Sequence, residues 1–561
     1  MMNFSKKILS QTVTQICLSA GVDHIVISPG SRNAPLTIGF TQHPDFKCYS
    51  IVDERCAGFF AMGMAQQLKR PVALVCTSGS ALLNYYPAVA EAFYSNIPLV
   101  VISADRPKEL IDVGDGQTIR QENVYDNHIL YSANCKEGQE FQSYNEEEIG
   151  NALTTALRKE GPVHINVPFS EPLYEIIDEP TISLNRTQWT SHFQQDDSRE
   201  INPTHYKEFI SDWNGAQRKM ILVGTLPPNE VGASIIELLG SDDGVMVFTE
   251  TTSNLHHEHF FPSIDKIIMR LEEADFDALK PDMLLTFGGM VVSKKIKAFL
   301  RKYQPQAHYH VGPHQGYDTF FCLKHHFEVA VNDFFDEFKK DYSVGNGGYR
   351  EFWLKVKQQR ARRHEEYLGQ IPFSDLTVHS LLYETLPNNV QLQLANSATV
   401  RYSQLFDLNP TFEVFCNRGT SGIDGSTSTA IGAAHISNKQ TVFITGDLSF
   451  FYDSNALWND HIPNNFRMIV LNNSGGGIFR ILPKAKDAQH FEQYFETQHG
   501  LTGEHLATMF GFNYVSASDE VSLREVLQDF YKDSDTPRIL EIFTPTTLND
   551  EVLIDYFKFI S

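Results

Sequence analysis

Short, continuous runs of apolar residues recur along the chain, and segments with helical spacing separate them. Uninterrupted runs of this length are typical of strands buried on both faces of a parallel sheet. Parallel neighbours need a crossover, which a helix supplies. The alternation predicts a β-α-β unit over about residues 1–180. Its predicted strands are residues 24–28, 72–77, 99–103 and 163–167, and Ala57, Phe60, Ala61, Met64 and Leu68 mark one helix between them.

Two further blocks of the same kind follow, with predicted strands in 219–228, 244–248, 283–289 and 308–312, and then in 390–396, 441–447, 466–473 and 538–544. The polar stretch 186–202 is predicted to be a linker, and the SVGNGG run at 343–348 a second boundary. The sequence therefore predicts an α/β protein of three doubly wound parallel-sheet domains, at residues 1–185, 200–342 and 350–561.

The charge of the chain limits its partners. Its 561 residues include 46 Lys and Arg against 69 Asp and Glu, a net charge of −23. A surface this acidic repels phosphate backbones and anionic lipid, so we expect neither nucleic acid nor a membrane surface as partner. No continuous apolar segment is as long as a membrane-spanning helix requires, which is about 18 residues. We expect small-molecule ligands, and any anionic one must be held by locally gathered basic groups.

The number and spacing of the cysteines indicate the redox state of the cellular compartment. All seven are scattered along the chain and form no C-x-x-C pair. This usage is typical of reduced thiols, so we expect a cytoplasmic protein.

Two polar sequences in the third block follow predicted strands. TVFITGD ends in Gly446 and Asp447, and RMIVLNN ends in Asn472 and Asn473. The spacing leaves room for one crossover helix, so both ends lie where open α/β sheets bind ligands. A carboxylate, an amide and the Gly475 carbonyl suit Mg²⁺, with Mn²⁺ as an alternative, and glycine allows close approach of a diphosphate. A tight turn at a strand end, without any metal, is the competing interpretation.

This pattern resembles the cofactor motif of thiamine-diphosphate enzymes, which begins with G-D and ends with N-N. Leu448 stands where the motif usually has a third glycine, a departure that removes no metal ligand.

Glu54 is a second candidate, because it follows a strand and opens a helix in YSIVDERCAG. Thiamine enzymes need a carboxylate beside N1′ of the aminopyrimidine, whose hydrogen bond favours the imino tautomer that can remove the C2 proton. A carboxyl group in an apolar niche has the raised proton affinity for this exchange. A glutamate at a helix start is also stabilised by the helix dipole alone.

Four longer segments resemble one family of these enzymes, the 2-succinyl-5-enolpyruvyl-6-hydroxy-3-cyclohexene-1-carboxylate (SEPHCHC) synthases of menaquinone biosynthesis. They are residues 28–36 (SPGSRNAPL), 77–107, 161–174 and 417–434 (NRGTSGIDGSTSTAIGAA). The family reaction decarboxylates 2-oxoglutarate and adds the succinyl carbanion equivalent to isochorismate, releasing CO₂. The resemblance implies a transferase with pyrimidine-binding, central and diphosphate-binding domains in this order. It also implies a homodimer or dimer of dimers, because the cofactor lies between the pyrimidine-binding domain of one subunit and the diphosphate-binding domain of another.

The resemblance also implies residue roles. To the isochorismate side it assigns Ser31, Arg32, Arg106, Gln117, Lys294 and Lys295. To the succinyl side it assigns Ser397, Arg401 and Arg418. Arginine pairs carboxylates bidentately, which suits two dicarboxylate substrates. An arginine at a strand end is more often a plain surface charge, and Lys294 and Lys295 also fit the wet face of a helix.

The resemblance places Ile423 under the thiazolium ring and makes Ile478, Phe479 and Leu482 an apolar wall of the site. Such residues are otherwise plain core. Gly116 departs from the family, which usually has Asn before Gln117. Either the loop backbone replaces that side chain or the substrate contact is weaker.

Other functions compete with this one. Acetolactate synthases and oxalyl-type decarboxylases share the cofactor but lack the SPGSRNAPL and NRGTSGIDG segments together. A nucleotide-binding oxidoreductase would need G-x-G-x-x-G after a strand, and the sequence contains none. A silent regulatory subunit would lack Glu54 or Asp447, and both are present.

Overall fold

Three separate parallel sheets organise the chain. The computed structural model describes residues 3–193, 200–344, 347–482 and 484–561. No helix in these ranges is long and apolar enough to cross a membrane.

The first sheet has six parallel strands in the order β3-β2-β4-β5-β7-β6, and β1 pairs antiparallel with β8 beside it. The strands are β1 (Phe4–Ser5), β2 (His24–Ile27), β3 (Lys47–Ser50), β4 (Val72–Cys76), β5 (Leu99–Asp105), β6 (Tyr131–Asn134), β7 (Val163–Pro168) and β8 (Ile176–Ile177). The helices are α1 (Ile8–Ser19), α2 (Ala34–Thr41), α3 (Glu54–Leu68), α4 (Ala81–Asn84), α5 (Tyr86–Ser95), α6 (Gln142–Lys159) and α7 (Arg186–Phe193).

The second sheet has five parallel strands in the order β10-β9-β11-β12-β13. The strands are β9 (Lys219–Val223), β10 (Val245–Phe248), β11 (Met283–Phe287), β12 (Ala307–Val311) and β13 (Leu323–Phe327). The helices are α8 (Pro203–Gly215), α9 (Ala233–Ser241), α10 (Ile264–Ile268), α11 (Glu273–Leu279), α12 (Lys294–Lys302) and α13 (Val331–Asp341).

The third sheet again has six parallel strands, in the order β15-β14-β16-β17-β19-β18. The strands are β14 (Gln391–Leu394), β15 (Glu413–Cys416), β16 (Thr441–Gly446), β17 (Phe466–Asn472), β18 (Asn513–Ala517) and β19 (Arg538–Phe543). The helices are α14 (Tyr349–Leu368), α15 (Asp375–Thr385), α16 (Ala398–Ser403), α17 (Ser426–Ile436), α18 (Asp447–Tyr452), α19 (Glu504–Met509), α20 (Glu520–Phe530) and α21 (Asn549–Ile560). Numbered within each sheet, the first and third have the same order, 2-1-3-4-6-5.

The predicted fold class is confirmed: three parallel sheets carry helices between their strands. Every residue of β4, β9 and β17 is buried, as the continuous apolar runs require. The domain boundaries at 185, 200, 342 and 350 stay predictions. The structure adds that α14 starts in the central core, where Trp353 is buried and Arg350 donates to the Gly240 carbonyl.

Two local predictions are wrong. Residues 186–193 do not belong to a linker; they form α7, whose Trp189 packs on Gly150 of α6. Trp189 and Phe193 of this segment pack against the core of the first domain. The polar composition of the segment did not indicate this packing. The apolar spacing of Phe4, Ile8, Leu9 and Ile16 predicts a single amphipathic first helix, but Phe4 lies in β1 and the helix begins at Ile8. Residues 194–199 of the predicted linker and 345–346 of the second boundary lie outside the described residues.

Helices α3 and α17 join the first and third sheets. A methyl group on Gly63 of α3 would lie 2.1 Å from the carbonyl oxygen of Thr429. One on Gly432 of α17 would lie 2.0 Å from the carbonyl oxygen of Phe60. The two backbones therefore touch, and one apolar core runs across both sheets. Because no side chain separates the helices, their relative position is fixed tightly.

We expect Gly63→Ala to lower the stability of the protein by about 1–3 kcal/mol, because the added methyl group overpacks a backbone contact. Gly215→Ala is the matched control, since a methyl group there meets nothing within 4 Å. Thermal unfolding of both variants, followed by circular dichroism, measures the difference. Equal unfolding midpoints for the two variants would contradict the close crossing.

Candidate active site

Asp447 and Asn473 lie at the carboxyl ends of two adjacent strands. Asp447 directly follows β16, Asn473 directly follows β17, and these strands pair in parallel. The buried Asp447 carboxylate accepts the N–H of Gly475 at 2.9 Å and that of Leu448 at 2.6 Å. His499 Nε2 lies 3.3 Å from Asp447 Oδ2. The structure therefore brings together the three predicted oxygen ligands at one sheet edge.

A neighbouring carboxylate orients the Asn473 amide. Asn473 Nδ2 donates to Asp375 Oδ2 at 2.9 Å, and Thr544 donates to the other carboxylate oxygen at 2.6 Å. Because a carboxylate only accepts, Asp375 holds the amide nitrogen on its own side and turns Oδ1 away. Burial raises the pKa of Asp375 to about 6, against the hydrogen bonds from Thr544 and Asn473.

This arrangement fits a hard divalent cation. Asn473 Oδ1 is buried with no hydrogen-bond partner in the described part of the chain. Such an orphaned oxygen is costly unless a ligand satisfies it. Carboxylate, amide and carbonyl oxygens are the ligands that Mg²⁺ prefers. A methyl group on Gly446 would meet nothing within 4 Å, so open space adjoins the cluster.

The backbone at Gly475 requires glycine. Its φ is +147°, and a methyl group there would lie 2.8 Å from the Glu496 carbonyl oxygen. This turn directs the Gly475 N–H at Asp447, and the Gly475 carbonyl accepts the N–H of Gly477 at 3.0 Å.

Glu54 is the first residue of α3 and is half-buried. Burial raises the pKa of its carboxyl, Asp53 raises it further, and a hydrogen bond from the Asn84 side chain opposes the shift. The shift has the direction that proton exchange with the aminopyrimidine would need, and the role of Glu54 stays a prediction. The residues around Glu54 contact the third sheet: Arg55 donates to the Tyr452 carbonyl, and Asp53 accepts from Asn455.

Arg32 and Arg106 lie close together at the end of the first sheet. Arg32 is buried; it donates to the Phe169 carbonyl at 2.8 Å and pairs with Glu171 at 3.0 Å. Burial lowers the pKa of Arg32, and the positive charge of Arg106 lowers it further. Two cations this close favour an anionic ligand between them. Ser31, the preceding residue, is exposed.

The loop at 114–117 shows how Gly116 is accommodated. Arg106 Nη2 donates to the Gly116 carbonyl at 2.9 Å, and its Nη1 lies 3.5 Å from Asp115. The backbone of Gln117, at φ +53°, accepts from Ser78. The loop backbone therefore holds Arg106, whereas the Gln117 side chain is not needed for this and lies exposed.

A cavity of about 310 Å³ opens between the central domain and the third sheet. Four cationic side chains line it, together with apolar and acidic residues. The cations are Arg270, Lys294, Lys295 and Arg401, the apolar residues include Ile264, Ile478 and Ile481, and the acids are Glu250 and Asp265. Burial and the charge of Arg418 both lower the pKa of Arg401. The cavity therefore suits an anionic ligand with an apolar body.

Buried acids position Lys294 and Lys295 at the start of α12. Glu250 is fully buried and accepts the N–H groups of Val292 at 2.6 Å and Ser293 at 2.7 Å. Ser293 caps α12 and donates to Asp265. Burial raises the pKa of Glu250 to about 7, partly offset by these hydrogen bonds.

Asn396 ties together the remaining predicted residues of the third sheet. Its Oδ1 accepts from Arg418 at 2.8 Å, and its Nδ2 donates to the carbonyls of Asn417 and Gly422. Ser397 has φ +69°, a strained conformation for serine, and its carbonyl accepts from Arg401 at 2.9 Å. Both predicted arginines are thus fixed by the strand end of β14.

The predicted apolar residues occupy different places. Ile423 is half-buried in the 417–425 loop and its carbonyl accepts from Ser449. Ile478 lines the cavity, and Phe479 packs beside Gly476. Leu482 is 48% exposed and lies outside the cavity lining, where Ile481 takes part instead.

Sequence reasoning missed several residues of the site: Glu250, Asp265, Arg270, Asp375, Asn396 and His499. Asp375 and Asn396 each hold a predicted residue directly, Asn473 and Arg418. Glu250 and Asp265 hold the backbone and cap directly before Lys294. Asp375, the first residue of α15, had no motif around it. Only Asn396, at the end of VQLQLAN, carried the strand-end signal that marked Asp447 and Asn473.

Comparisons with known proteins agree with this geometry. Three family models match: the N-terminal TPP binding domain of thiamine pyrophosphate enzymes over 8–128, their middle domain over 184–394, and their C-terminal TPP binding domain over 397–542. SEPHCHC synthases of Christiangramia forsetii and Flavobacterium psychrophilum are 52% and 54% identical, over 100% and 99% of this chain and 100% of each relative. The chain belongs to the SEPHCHC synthase family.

Distant members of the wider fold have the same architecture. A benzoylformate decarboxylase from Polynucleobacter necessarius superposes with a TM-score of 0.70 at 14% identity, covering 96% of this chain and 99% of that one. A Rhodococcus jostii 4-hydroxybenzoylformate decarboxylase gives a TM-score of 0.69 at 15% identity, covering 96% and 99%. At such identities the fold alone is shared.

In a SEPHCHC synthase built this way, Asp447→Asn should weaken metal-dependent binding of thiamine diphosphate by about tenfold or more, because a charged ligand is lost. The measurement is calorimetric titration with thiamine diphosphate at fixed Mg²⁺. Asp460→Asn, which changes an exposed acid in the loop before β17, is the control and should bind like the wild type. Unchanged affinity in Asp447→Asn would show that Asp447 is not a metal ligand.

Proposed function

We propose that this protein uses thiamine diphosphate and Mg²⁺ to decarboxylate 2-oxoglutarate and to transfer the remaining succinyl unit to isochorismate, giving SEPHCHC and CO₂ in menaquinone biosynthesis. The cavity lined by Arg270, Lys294, Lys295 and Arg401 carries this proposal. On a chain of net charge −23, a cavity lined by four cations against two acids, Glu250 and Asp265, supports a dicarboxylate ligand.

The metal and the cofactor would be held by the third sheet. Asp447, Asn473 and the Gly475 carbonyl offer three oxygens to Mg²⁺, or to Mn²⁺, and Gly446 leaves room for the diphosphate. When bound, thiamine diphosphate supplies the carbon nucleophile and the electron sink for decarboxylation. Ile423, in the loop before α17, would support the thiazolium ring.

Glu54 would hold and release the proton that activates the cofactor. Its half-buried position raises the pKa of its carboxyl, which favours sharing a proton with a ring nitrogen. The hydrogen bond from Asn84 fixes the orientation of the carboxyl.

The cations would bind the two substrates. Arg401 and Arg418 would take the carboxylates of 2-oxoglutarate, with Ser397 beside them. Lys294 and Lys295, together with Ser31, Arg32, Arg106 and Gln117, would take those of isochorismate. Burial lowers the pKa of Arg401 and of Arg32, and the charges of Arg418 and Arg106 lower these two pKa values further. An anionic ligand would relieve that repulsion. Ile478 and Phe479, with Leu482 at the rim, would exclude water, which favours loss of a charged carboxylate.

The proposed assembly is a homodimer or a dimer of dimers. The cofactor would lie between the first sheet of one subunit and the third sheet of its partner, as family membership implies. We also propose a cytoplasmic location, because all seven cysteines are free thiols.

Glu54→Gln should still bind thiamine diphosphate but lose at least about a hundredfold in kcat, because an amide cannot share the proton. Turnover and cofactor affinity are measured on the same preparation. Glu147→Gln, an exposed acid of the same domain, serves as control. A Glu54→Gln enzyme with the wild-type rate would show that Glu54 is not the activating acid.

The test of the donor assignment compares 2-oxoglutarate with pyruvate. The wild type should decarboxylate 2-oxoglutarate with a kcat/KM at least about tenfold higher, because charged hydrogen bonds to the distal carboxylate contribute about 1.5–3 kcal/mol. Arg401→Ala and Arg418→Ala should raise the KM for 2-oxoglutarate and narrow this preference, while cofactor affinity stays within about threefold. Arg362→Ala, an exposed arginine of α14, is the control.

Two outcomes would contradict this assignment. Equal use of pyruvate by the wild type would favour an acetolactate-type activity. Equal weakening of cofactor and substrate binding in the arginine variants would mean that the two arginines are structural.

A further inference from the structure

Glu91 is a buried carboxylate with an unusual set of partners. It lies on α5 in the first domain and is 1% exposed. Its oxygens accept the backbone N–H groups of Gly419 at 2.6 Å, Thr420 at 2.6 Å and Ser421 at 3.2 Å. The hydroxyl groups of Thr420 and Ser95 donate to it at 2.7 and 2.9 Å. Three consecutive amides converging on one anion form a backbone nest.

The 417–425 loop that Glu91 binds belongs to the third sheet. It joins β15 to α17 and carries Arg418 and Ile423, to which the proposed function assigns substrate and cofactor contacts. A carboxylate of the first domain thus holds the backbone directly after Arg418.

The loop is held from two sides. Asn396 donates to the carbonyls of Asn417 and Gly422 and accepts from Arg418, while Glu91 accepts the N–H groups between them. The carbonyls are therefore fixed by an amide donor and the N–H groups by a carboxylate acceptor. Because donors and acceptors of the loop backbone each have a separate partner, these hydrogen bonds favour a single conformation of the loop.

Steric contact supports the same conclusion. A methyl group on Gly419 would lie 2.4 Å from the Glu91 carbonyl oxygen and 2.8 Å from Ser95 Oγ. One on Gly425 would lie 2.1 Å from the Phe59 ring of α3. Both ends of the loop therefore touch helices of the first domain through glycines.

We propose that Glu91 is a positioning residue, which holds the 417–425 loop so that Arg418 and Ile423 face substrate and cofactor. The proposal rests on the proposed function for the roles of these two residues. Without the carboxylate, three buried N–H groups lose their acceptor, and the loop must move to find others. Asp447 and Asn473 lie outside this loop, whose link to α18 is the hydrogen bond from Ser449 to the Ile423 carbonyl, so we expect the metal-held part of cofactor binding to change less than substrate binding.

The test compares Glu91→Gln with the wild type and with Glu147→Gln. Glutamine keeps the size of the side chain, but its NH₂ group opposes donors on the loop. Hydrogen–deuterium exchange reports on the amides of 419–421 without requiring activity. We expect at least about tenfold faster exchange there in Glu91→Gln, and wild-type exchange in Glu147→Gln.

Kinetics provide the second readout. Glu91→Gln should raise the KM for 2-oxoglutarate by about tenfold, while the affinity for thiamine diphosphate at fixed Mg²⁺ changes by less than about threefold. Thr420→Val removes one donor and keeps the amides, so it should show the same changes at smaller size. It keeps the test available if Glu91→Gln fails to fold.

Four outcomes are distinguishable. Wild-type exchange at 419–421 in both variants, or faster exchange with unchanged KM, overturns the positioning role. Cofactor affinity that falls as much as substrate affinity overturns it too, because the effect is then a general loss of structure. A wild-type enzyme that does not use 2-oxoglutarate contradicts the proposed function. In that case the exchange result still decides whether Glu91 holds the loop.

Discussion

The direct contact between helices α3 and α17 is the constraint on which the site depends. Gly63 and Gly432 let the two backbones touch, so the first and third sheets cannot slide against each other. Glu54 opens α3, and the loop with Arg418 and Ile423 leads directly into α17. Within one chain, this helix crossing therefore fixes the start of α3, with Glu54, relative to the loop that carries Arg418 and Ile423. Glu91 adds a second link between these domains, because it joins the first domain to the same loop by hydrogen bonds.

Electrostatics explain how so acidic a protein can bind anions. The cations are gathered at strand and helix ends, and buried acids and amides hold the segments that carry them. Glu250 fixes the backbone before Lys294, and Asn396 fixes Arg418. Burial and like-charge repulsion lower the pKa of Arg401 and of Arg32. Repulsion between neighbouring buried cations is unfavourable, and an anionic ligand relieves it. The affinity of the site therefore depends on the charge of the ligand.

The sequence predicted those parts of the structure that local patterns determine. Continuous apolar runs revealed the central strands, and polar residues after them revealed Asp447 and Asn473. The edge strands β6, β13 and β18 were missed because they are only partly buried and polar residues interrupt their apolar runs. Residues such as Asp375, Glu91 and Glu250 could not be found, because they act on partners far away in the sequence and belong to no local motif. The resemblance supplied substrate roles that no pattern could.

The most direct measurement is one assay with purified protein, Mg²⁺, thiamine diphosphate and 2-oxoglutarate, with and without isochorismate. CO₂ release is followed, and the product is identified by mass. We expect CO₂ and the succinyl-cyclohexene adduct in equal amounts, and only when all components are present. CO₂ without the adduct would contradict isochorismate as acceptor, and no CO₂ in spite of metal-dependent cofactor binding would contradict 2-oxoglutarate as donor.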